Sequence, residues 1–447
     1  MKLLIFLGIH HPARRSAAVP YFGQGAAAHA TPQSFEQEHP ISDPNHSRST
    51  PRSSITATIG LLDLMRLRSI FELQAKYNDV VVVDVVELEV LEVSNSTTNT
   101  WLEDDFGLEY ILGPSGLDTL FPKIWATVRV HFKKHNREET TVGLYGLTRA
   151  LTFAIVLECL LGIKARPGML GTFERVLEGV FSAAVGFPWS KFGRASGAQR
   201  EIERELLREI RKRREEIERG GSIERVLMSR LVEGLVRGEI SEEEVVDNVV
   251  LLVFAAHDTM SFAIAMTFRM MARHPDCYSI LEKEHRDRVS RKGEEEPLMY
   301  EDTKTMSYTW KVARESMRIF PPIFGSFRKA IQDIEYDGYT IPKGWKILWM
   351  AYGTHYDPEC FEDPMAFNPD RFDESIQPYT FVPFGGGPRL CAGYQLAKLN
   401  ILIFVHYVVT RYDWSLVLPD EPITIDPLPF PSQGMPVTIR PKVETKP

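Results

Sequence analysis

Cysteine is scarce in this chain of 447 residues. There are four, Cys159, Cys277, Cys360 and Cys391. They are too few and too scattered for a disulfide framework. The scarcity points to a reducing, cytosol-facing setting. No CxxC pair and no HExxH run occurs, so the common zinc signatures are excluded. Positive charge is short as well: 52 Lys and Arg against 60 Asp and Glu leave a net −8. No strong basic face is implied, which argues against nucleic acid as a partner. Charge-free apolar runs long enough to cross a bilayer are missing. Leu3–Ile9, behind Lys2, is too short. No internal repeat is evident.

What is present reads as a globular protein, with 44% hydrophobic and 25% charged residues. Length alone suggests two or three domains, a prior that large helical enzymes break. Residues 16–55 are rich in Ser, Pro, His and Ala and read as disordered. Gly23-Gln24-Gly25-Ala26 has the look of a dinucleotide fingerprint but follows Pro20 rather than a strand. Residues 1–75 are expected to form an atypical, largely disordered segment ahead of one domain over 76–447.

Ile55–Tyr77 is expected to be helical and Val80–Val93 strand-like. Asn95-Ser96-Thr97 is a glycosylation sequon by pattern only. Leu120–Phe132 and Val142–Leu161 read as apolar helices. Gln199–Arg219 reads as a charged helix with a stripe of Ile202, Leu206, Ile210 and Ile217, and Glu209 and Arg213 stand as an i,i+4 pair.

Three segments carry chemistry. Ser241-Glu242-Glu243-Glu244 is a capping box. It opens an apolar helix running to Arg273, about 45–50 Å long at 1.5 Å per residue. Asp247, His257, Asp258, Arg269 and Arg273 interrupt it, so it reads as the core helix of a large protein rather than a membrane span. In its middle lies Ala255-Ala256-His257-Asp258-Thr259. Two small residues let a flat ligand approach the backbone, and an acid and a hydroxyl follow within the turn. The alternative is that Thr259 bonds back to its own helix and Asp258 is paired nearby.

Glu315 and Arg318 share a helix face at i,i+3, and Pro321-Pro322 ends that helix. Ile331–Trp349 reads as short strands with turns at Asp337-Gly338 and Lys343-Gly344. Most informative is Phe384-Gly385-Gly386-Gly387-Pro388-Arg389-Leu390-Cys391-Ala392-Gly393. A lone cysteine sits between glycines at the mouth of an apolar helical run, which suits a thiolate that ligates a metal. Arg389 is placed to meet an anionic group. The bland reading is a glycine-rich surface loop with an inert cysteine. Trp414–Lys442 then reads as short, proline-interrupted strands.

Taken together, these motifs resemble the cytochrome P-450 family, the haem-thiolate monooxygenases, strongly over 241–442 and fairly from about Phe121. The resemblance implies a mainly α fold with small β-sheets, holding haem b between the long helix and the cysteine loop. By that resemblance Cys391 is the iron ligand, and Arg389 and Arg328 meet haem propionates. Phe384 shields the sulfur, and Gly387 and Gly393 shape the loop. Asp258 and Thr259 organise water for proton delivery, although Ala256 stands for the usual glycine and Met260 for a common threonine or serine. Glu315 and Arg318 join Arg371, from Phe367-Asn368-Pro369-Asp370-Arg371-Phe372, in a buried structural network.

The resemblance fails upstream. The family's WxxxR helix is absent between Leu112-Gly113-Pro114-Ser115 and Phe121-Pro122, and so are its long anchor and proline-rich hinge. The domain is therefore expected to be incomplete between about 112 and 121. The implied partners are O2, an apolar substrate and an NADPH-dependent flavoprotein reductase. The implied place is peripheral, on the cytosolic face of the endoplasmic reticulum. Phe381-Val382-Pro383-Phe384, Tyr394-Gln395-Leu396-Ala397-Lys398, Arg411-Tyr412-Asp413-Trp414 and Asp426-Pro427-Leu428-Pro429 resemble plant terpenoid and steroid hydroxylases, conifer taxoid hydroxylases most of all. A haem-free remnant of the family and a triterpenoid or steroid hydroxylase are the alternatives.

Overall fold

Helix α1 spans Pro114–Phe132. Pro114 stands in its first turn, where a missing N–H costs nothing. Leu117, Leu120, Phe121, Ile124, Val128 and Phe132 recur at helical spacing and are buried. Residues between Gly113 and Phe121 thus form the opening turns of α1, and no further helix stands between those two segments. Trp125 and Arg129 do lie four residues apart. However, Trp125 packs edge-on to Tyr407 in the core, with ring centroids 5.6 Å apart, while Arg129 is exposed.

The computed structural model describes residues 83–84 and 111–442, apart from 134–138, 181, 183–185, 222–223, 293–297, 331, 337–338, 388–389 and 427. All of these belong to one unit of the chain, Leu61–Pro447. The expectations for residues 1–75, the glycosylation sequon and most of the Val80–Val93 strand lie outside the described residues. Of that strand, Val83–Asp84 is seen as β1.

The apolar stretch expected as one helix over Val142–Leu161 divides in three. Thr140–Gly143 is a strand, β2, because two threonines and a valine suit a pleated edge. Helix α2 covers Leu144–Ala154, and a wider π-turn covers Ile155–Leu160. Helix α3 (Met169–Val180) packs on α4 (Lys191–Glu218). Helix α4 begins earlier than expected because the Ser190 hydroxyl accepts from the Gly193 N–H at 2.9 Å and caps it. Its stripe of Ile202, Leu206 and Ile210 is buried. Arg213 does not pair with Glu209. It donates instead to the Ser229 hydroxyl at 2.8 Å and the Gly162 carbonyl at 3.0 Å, tying α4 to its neighbours.

Helix α5 (Leu227–Val236) leads to α6 (Glu242–Arg273), whose capping box is complete. The Glu244 N–H meets the Ser241 hydroxyl at 3.2 Å, and the Ser241 N–H meets the Glu244 carboxylate at 2.7 Å. The second half of α6 is buried on nearly every side: Phe262, Ile264, Met266, Phe268 and Met271 are all in the core. Each contributes about 1.5–3 kcal/mol of burial. Around α6 pack α2, α9 (Ser307–Ile319) and α11 (Tyr394–Arg411). Helices α7 (Pro275–Lys292), α8 (Tyr300–Thr303) and α10 (Ala351–His355) complete the helical part.

The sheets are small and antiparallel. One has the order β1-β3-β6, with β3 at Gly325–Lys329 and β6 at Lys346–Met350. Another has the order β2-β10-β7, with β7 at Tyr412–Leu416 and β10 at Pro436–Pro441. Two hairpins add β4 (Ile334–Tyr336) with β5 (Tyr339–Ile341), and β8 (Ile423–Ile425) with β9 (Pro429–Pro431). The expected mainly α fold with small sheets is what is found.

Candidate active site

The cysteine loop is shaped by two glycines in the left-handed region, Gly385 at φ 72° and Gly387 at φ 70°. Side chains other than glycine rarely adopt that conformation. The chain doubles back on itself: the Gly385 N–H meets the Val382 carbonyl at 3.1 Å, and the Cys391 N–H meets the Phe384 carbonyl at 2.9 Å. Helix α11 starts directly afterwards, with Ala397 N–H on the Gly393 carbonyl at 2.8 Å.

The Cys391 sulfur is exposed, yet enough protein surrounds it for burial to push its thiol pKa up, with the Gly393 N–H opposing that rise. Both facts hold for a cysteine that is flanked by protein on one side and open on the other. Phe384 packs edge-on to Tyr394 at 4.9 Å, and Tyr394 on Trp310 at 6.0 Å, so the loop leans on α9 and α11. Arg389 lies outside the described residues. Arg328 sits in β3 opposite Ile347, and its side chain is likewise outside the description.

Helix α6 interrupts its own burial in the middle. Leu251 and Ala255 are exposed, and Ala256 and Thr259 are half-buried, one helical turn apart along one face. Thr259 donates to the Ala255 carbonyl at 2.7 Å, closing on its own helix. Asp258 points the other way, into protein. It accepts from Arg149 Nε at 2.9 Å, and Arg149 Nη1 reaches Glu174 at 3.0 Å. The chain Asp258–Arg149–Glu174 therefore runs from buried to half-exposed. His257 is fully buried, with Nδ1 3.1 Å from the Val253 carbonyl and Nε2 3.5 Å from Asp258 Oδ1. Burial holds its imidazole below the usual pKa. Met260 receives the Asn400 amide on its sulfur at 3.3 Å. The exposed stretch of α6 and the loop ahead of α11 thus stand on two helices in direct contact.

Glu315, Arg318 and Arg371 meet behind the loop. Arg318 grips Glu315 with two hydrogen bonds of 2.8 Å, and Arg371 Nε adds a third at 3.0 Å. Glu315 and Arg318 have no exposed side-chain surface. The Asn368 N–H also donates to Glu315 at 3.0 Å, and Arg318 donates to the carbonyls of His355, Pro364 and Ala366 at 2.9, 2.8 and 3.0 Å. A buried charge is tolerated only when every valence is met in this way.

Arg149, Glu174 and His355 are site residues that motif reading missed. The only signal for Arg149 was a cation inside an apolar run, and His355 had none.

The donor set fits haem b. Among the described residues there is no cluster of three or more His, Cys, Asp or Glu able to hold a bare metal ion. One exposed cysteine on a tight loop suits iron that arrives with four ligands already in place, and an exposed small-residue face on a core helix suits a flat partner. A mainly helical protein built around that pair of features is a haem-thiolate protein. The sequence model of the cytochrome P-450 family matches residues 169–442, and the chain belongs to that family.

Among its relatives is Cytochrome P-450 716A1 of Arabidopsis thaliana, 38% identical over 318 residues, covering 70% of this chain and 66% of that protein. The Taxoid 2-alpha-hydroxylase of Taxus canadensis is 37% identical over 339 residues, covering 73% and 68%. The Beta-amyrin 28-monooxygenase of Barbarea vulgaris is 36% identical over 317 residues, covering 70% and 66%. The matched region thus spans about two thirds of the length of these relatives. A retinoic acid-bound cyanobacterial cytochrome P-450 has a similar structure, with TM-score 0.71 and 25% identity over 82% of this chain and 87% of that one.

Proposed function

We propose that this chain is a haem-thiolate monooxygenase that hydroxylates an apolar terpenoid, with O2 and with electrons from an NADPH-dependent flavoprotein reductase. The observation that carries the reading is the exposed Cys391 in the loop that leads into α11, a helix in contact with α6 next to its opened middle. When bound, haem supplies the oxygen activation, and a thiolate ligand favours O–O cleavage.

The protein's own residues do the rest. Cys391 would hold the iron, with Phe384 beside the loop and the Gly393 N–H directed at the sulfur. Arg389 and Arg328 would meet the propionates. Ala255 and Ala256 leave room for a flat group at the helix. Thr259 and Asp258 would organise water for proton delivery, Asp258 being held in place by Arg149, which also meets Glu174. Glu315, Arg318 and Arg371 brace the scaffold.

The terpenoid class is supported by relatives named for taxoid and β-amyrin oxidation at nearly equal identity. A taxoid-like diterpenoid is our first choice, on the C-terminal motifs. A triterpenoid is the second, favoured by the several relatives named for β-amyrin. We place the chain peripherally on the cytosolic face of the endoplasmic reticulum by the family resemblance; contact with a membrane surface is supported by Phe187 and Trp189. These lie stacked at 5.1 Å and exposed, and amphipathic rings of this kind favour membrane interfaces.

The test is expression with a plant reductase, a carbon monoxide difference spectrum of the reduced protein, and turnover of diterpenoid and triterpenoid panels. A thiolate-type band with a hydroxylated product is expected. Colourless protein, indistinguishable from a Cys391→Ala variant, would remove the reading.

A further inference from the structure

His355 ends α10, 36 residues ahead of Cys391 in sequence, and is fully buried. Both of its ring nitrogens are engaged, each with a different part of the scaffold. Nδ1 lies 3.0 Å from the Arg318 carbonyl, and Nε2 accepts the Val382 N–H at 2.9 Å. A neutral imidazole has one donor and one acceptor, so this arrangement fixes the tautomer with the proton on Nδ1. The attachment to Arg318 is doubled, because Arg318 Nη1 returns a hydrogen bond to the His355 carbonyl at 2.9 Å.

On its other side the ring stacks on Phe381, centroids 5.6 Å apart and planes 19° apart. Val382, the residue it receives from, opens the cysteine loop. The Val382 carbonyl takes the Gly385 N–H, and two residues later the Phe384 carbonyl takes the Cys391 N–H. An unbroken series of contacts therefore leads from the buried Glu315–Arg318 pair, through one imidazole, to the backbone that carries the sulfur.

We infer that His355 is a positioning residue: it transmits the rigidity of the Glu315–Arg318–Arg371 network to the Cys391 loop. It touches neither sulfur nor substrate. It fixes the Val382 end of a loop whose two left-handed glycines would otherwise leave it free to bend. The link rests on the haem-thiolate reading only for its purpose, since its geometry is independent of any cofactor. An apolar residue of similar size would keep the packing on Phe381 but leave the Val382 N–H and the Arg318 carbonyl without partners, a cost that buried backbone groups do not escape. An amide side chain keeps one donor and one acceptor.

The experiment uses the purified full chain and two readouts. Amide hydrogen exchange in the wild type is expected to show the Val382, Gly385 and Cys391 amides protected as strongly as those of α9. His355→Phe is expected to speed exchange at those three amides about tenfold, the loss of one buried hydrogen bond, with α7 unchanged. His355→Asn is expected to recover part of the protection. The carbon monoxide spectrum of the reduced protein is expected to lose thiolate-type intensity in His355→Phe and to regain some in His355→Asn.

Unchanged exchange and an unchanged band in His355→Phe would overturn the inference. If that variant does not fold, the wild-type measurement decides: a Val382 amide that exchanges as fast as an open loop overturns the link. A wild type with a protected loop but no thiolate-type band supports the link and removes the haem reading instead.

Discussion

Asp258 and Arg149 are paired across two helices at 2.9 Å, with the carboxylate buried and the guanidinium a quarter exposed. The pair turns the acid of α6 away from the exposed Ala255 face, on which Thr259 lies. Arg149 in turn meets Glu174 at 3.0 Å, so the Asp258 carboxylate is held on the side of the helix away from Thr259.

Thr259→Ala should therefore leave the fold intact and uncouple O2 consumption from product, since its hydroxyl bonds only to its own helix. NADPH, O2 and product measured together check this. A ratio equal to wild type would remove the proton-delivery role. Arg149→Ala should additionally destabilise the protein by roughly 2–3 kcal/mol, less than the 3–5 expected for a wholly buried pair. Urea titration reads that loss.

Glu315→Gln is expected to be more damaging. It strips the counter-charge from Arg318, which is fully buried, and from Arg371, which is nearly so. The cost of stranding such charges is about 3–5 kcal/mol. The variant should give little soluble, pigmented protein, whereas Glu301→Gln, on an exposed pair with Lys304, should behave as wild type. Yield and denaturation midpoint compare the two.

Cys391→Ala should abolish the thiolate-type band and all turnover while leaving the melting temperature of the haem-free protein nearly unchanged, because the residue is exposed and forms no disulfide. A Cys391→Ala variant that still turns over substrate would remove the ligand assignment.

Acid should destabilise the fold through three buried histidines. Burial lowers His355 and His406 to about 3 and holds His285 well below its ordinary value. His285 and His406 face each other, Nδ1 to Nδ1, at 3.0 Å. All three are neutral in the fold and take up protons on unfolding. Stability is then fully present above about pH 6.5 and falls as pH drops from there toward 3, by up to roughly 1.4 kcal/mol per pH unit for each group. Chemical denaturation at pH 8, 6.5 and 5 measures the slope, which His406→Asn should reduce. A flat profile would contradict the neutral assignment.

Much of this was legible in the residues because local chemistry and global role agree there. The Ser241 capping box and the all-round apolar face fixed both the start of α6 and its burial. Arg318 and Arg371 both hydrogen-bond to Glu315, and the i,i+3 spacing of Glu315 and Arg318 was readable because both partners lie on one helix. Where the reading went astray, tertiary contacts decided. Val142 pairs with Val437 of β10, which no helix pattern reveals. Arg213 had an acid one turn away and chose a carbonyl 51 residues distant instead. His355 gave no local sign, because its two partners come from segments on either side of it in sequence.

Helix α6 has one more consequence. An 18-residue window of it reaches a mean hydropathy of 1.8, enough by length and composition to cross a bilayer, and 61% of that window is buried. In chain order this stretch precedes α9 and α11, which cover it in the folded protein. Until those helices are made, its apolar surface has no partner from either of them, so the last third of the chain decides whether α6 is buried or left open to aggregation.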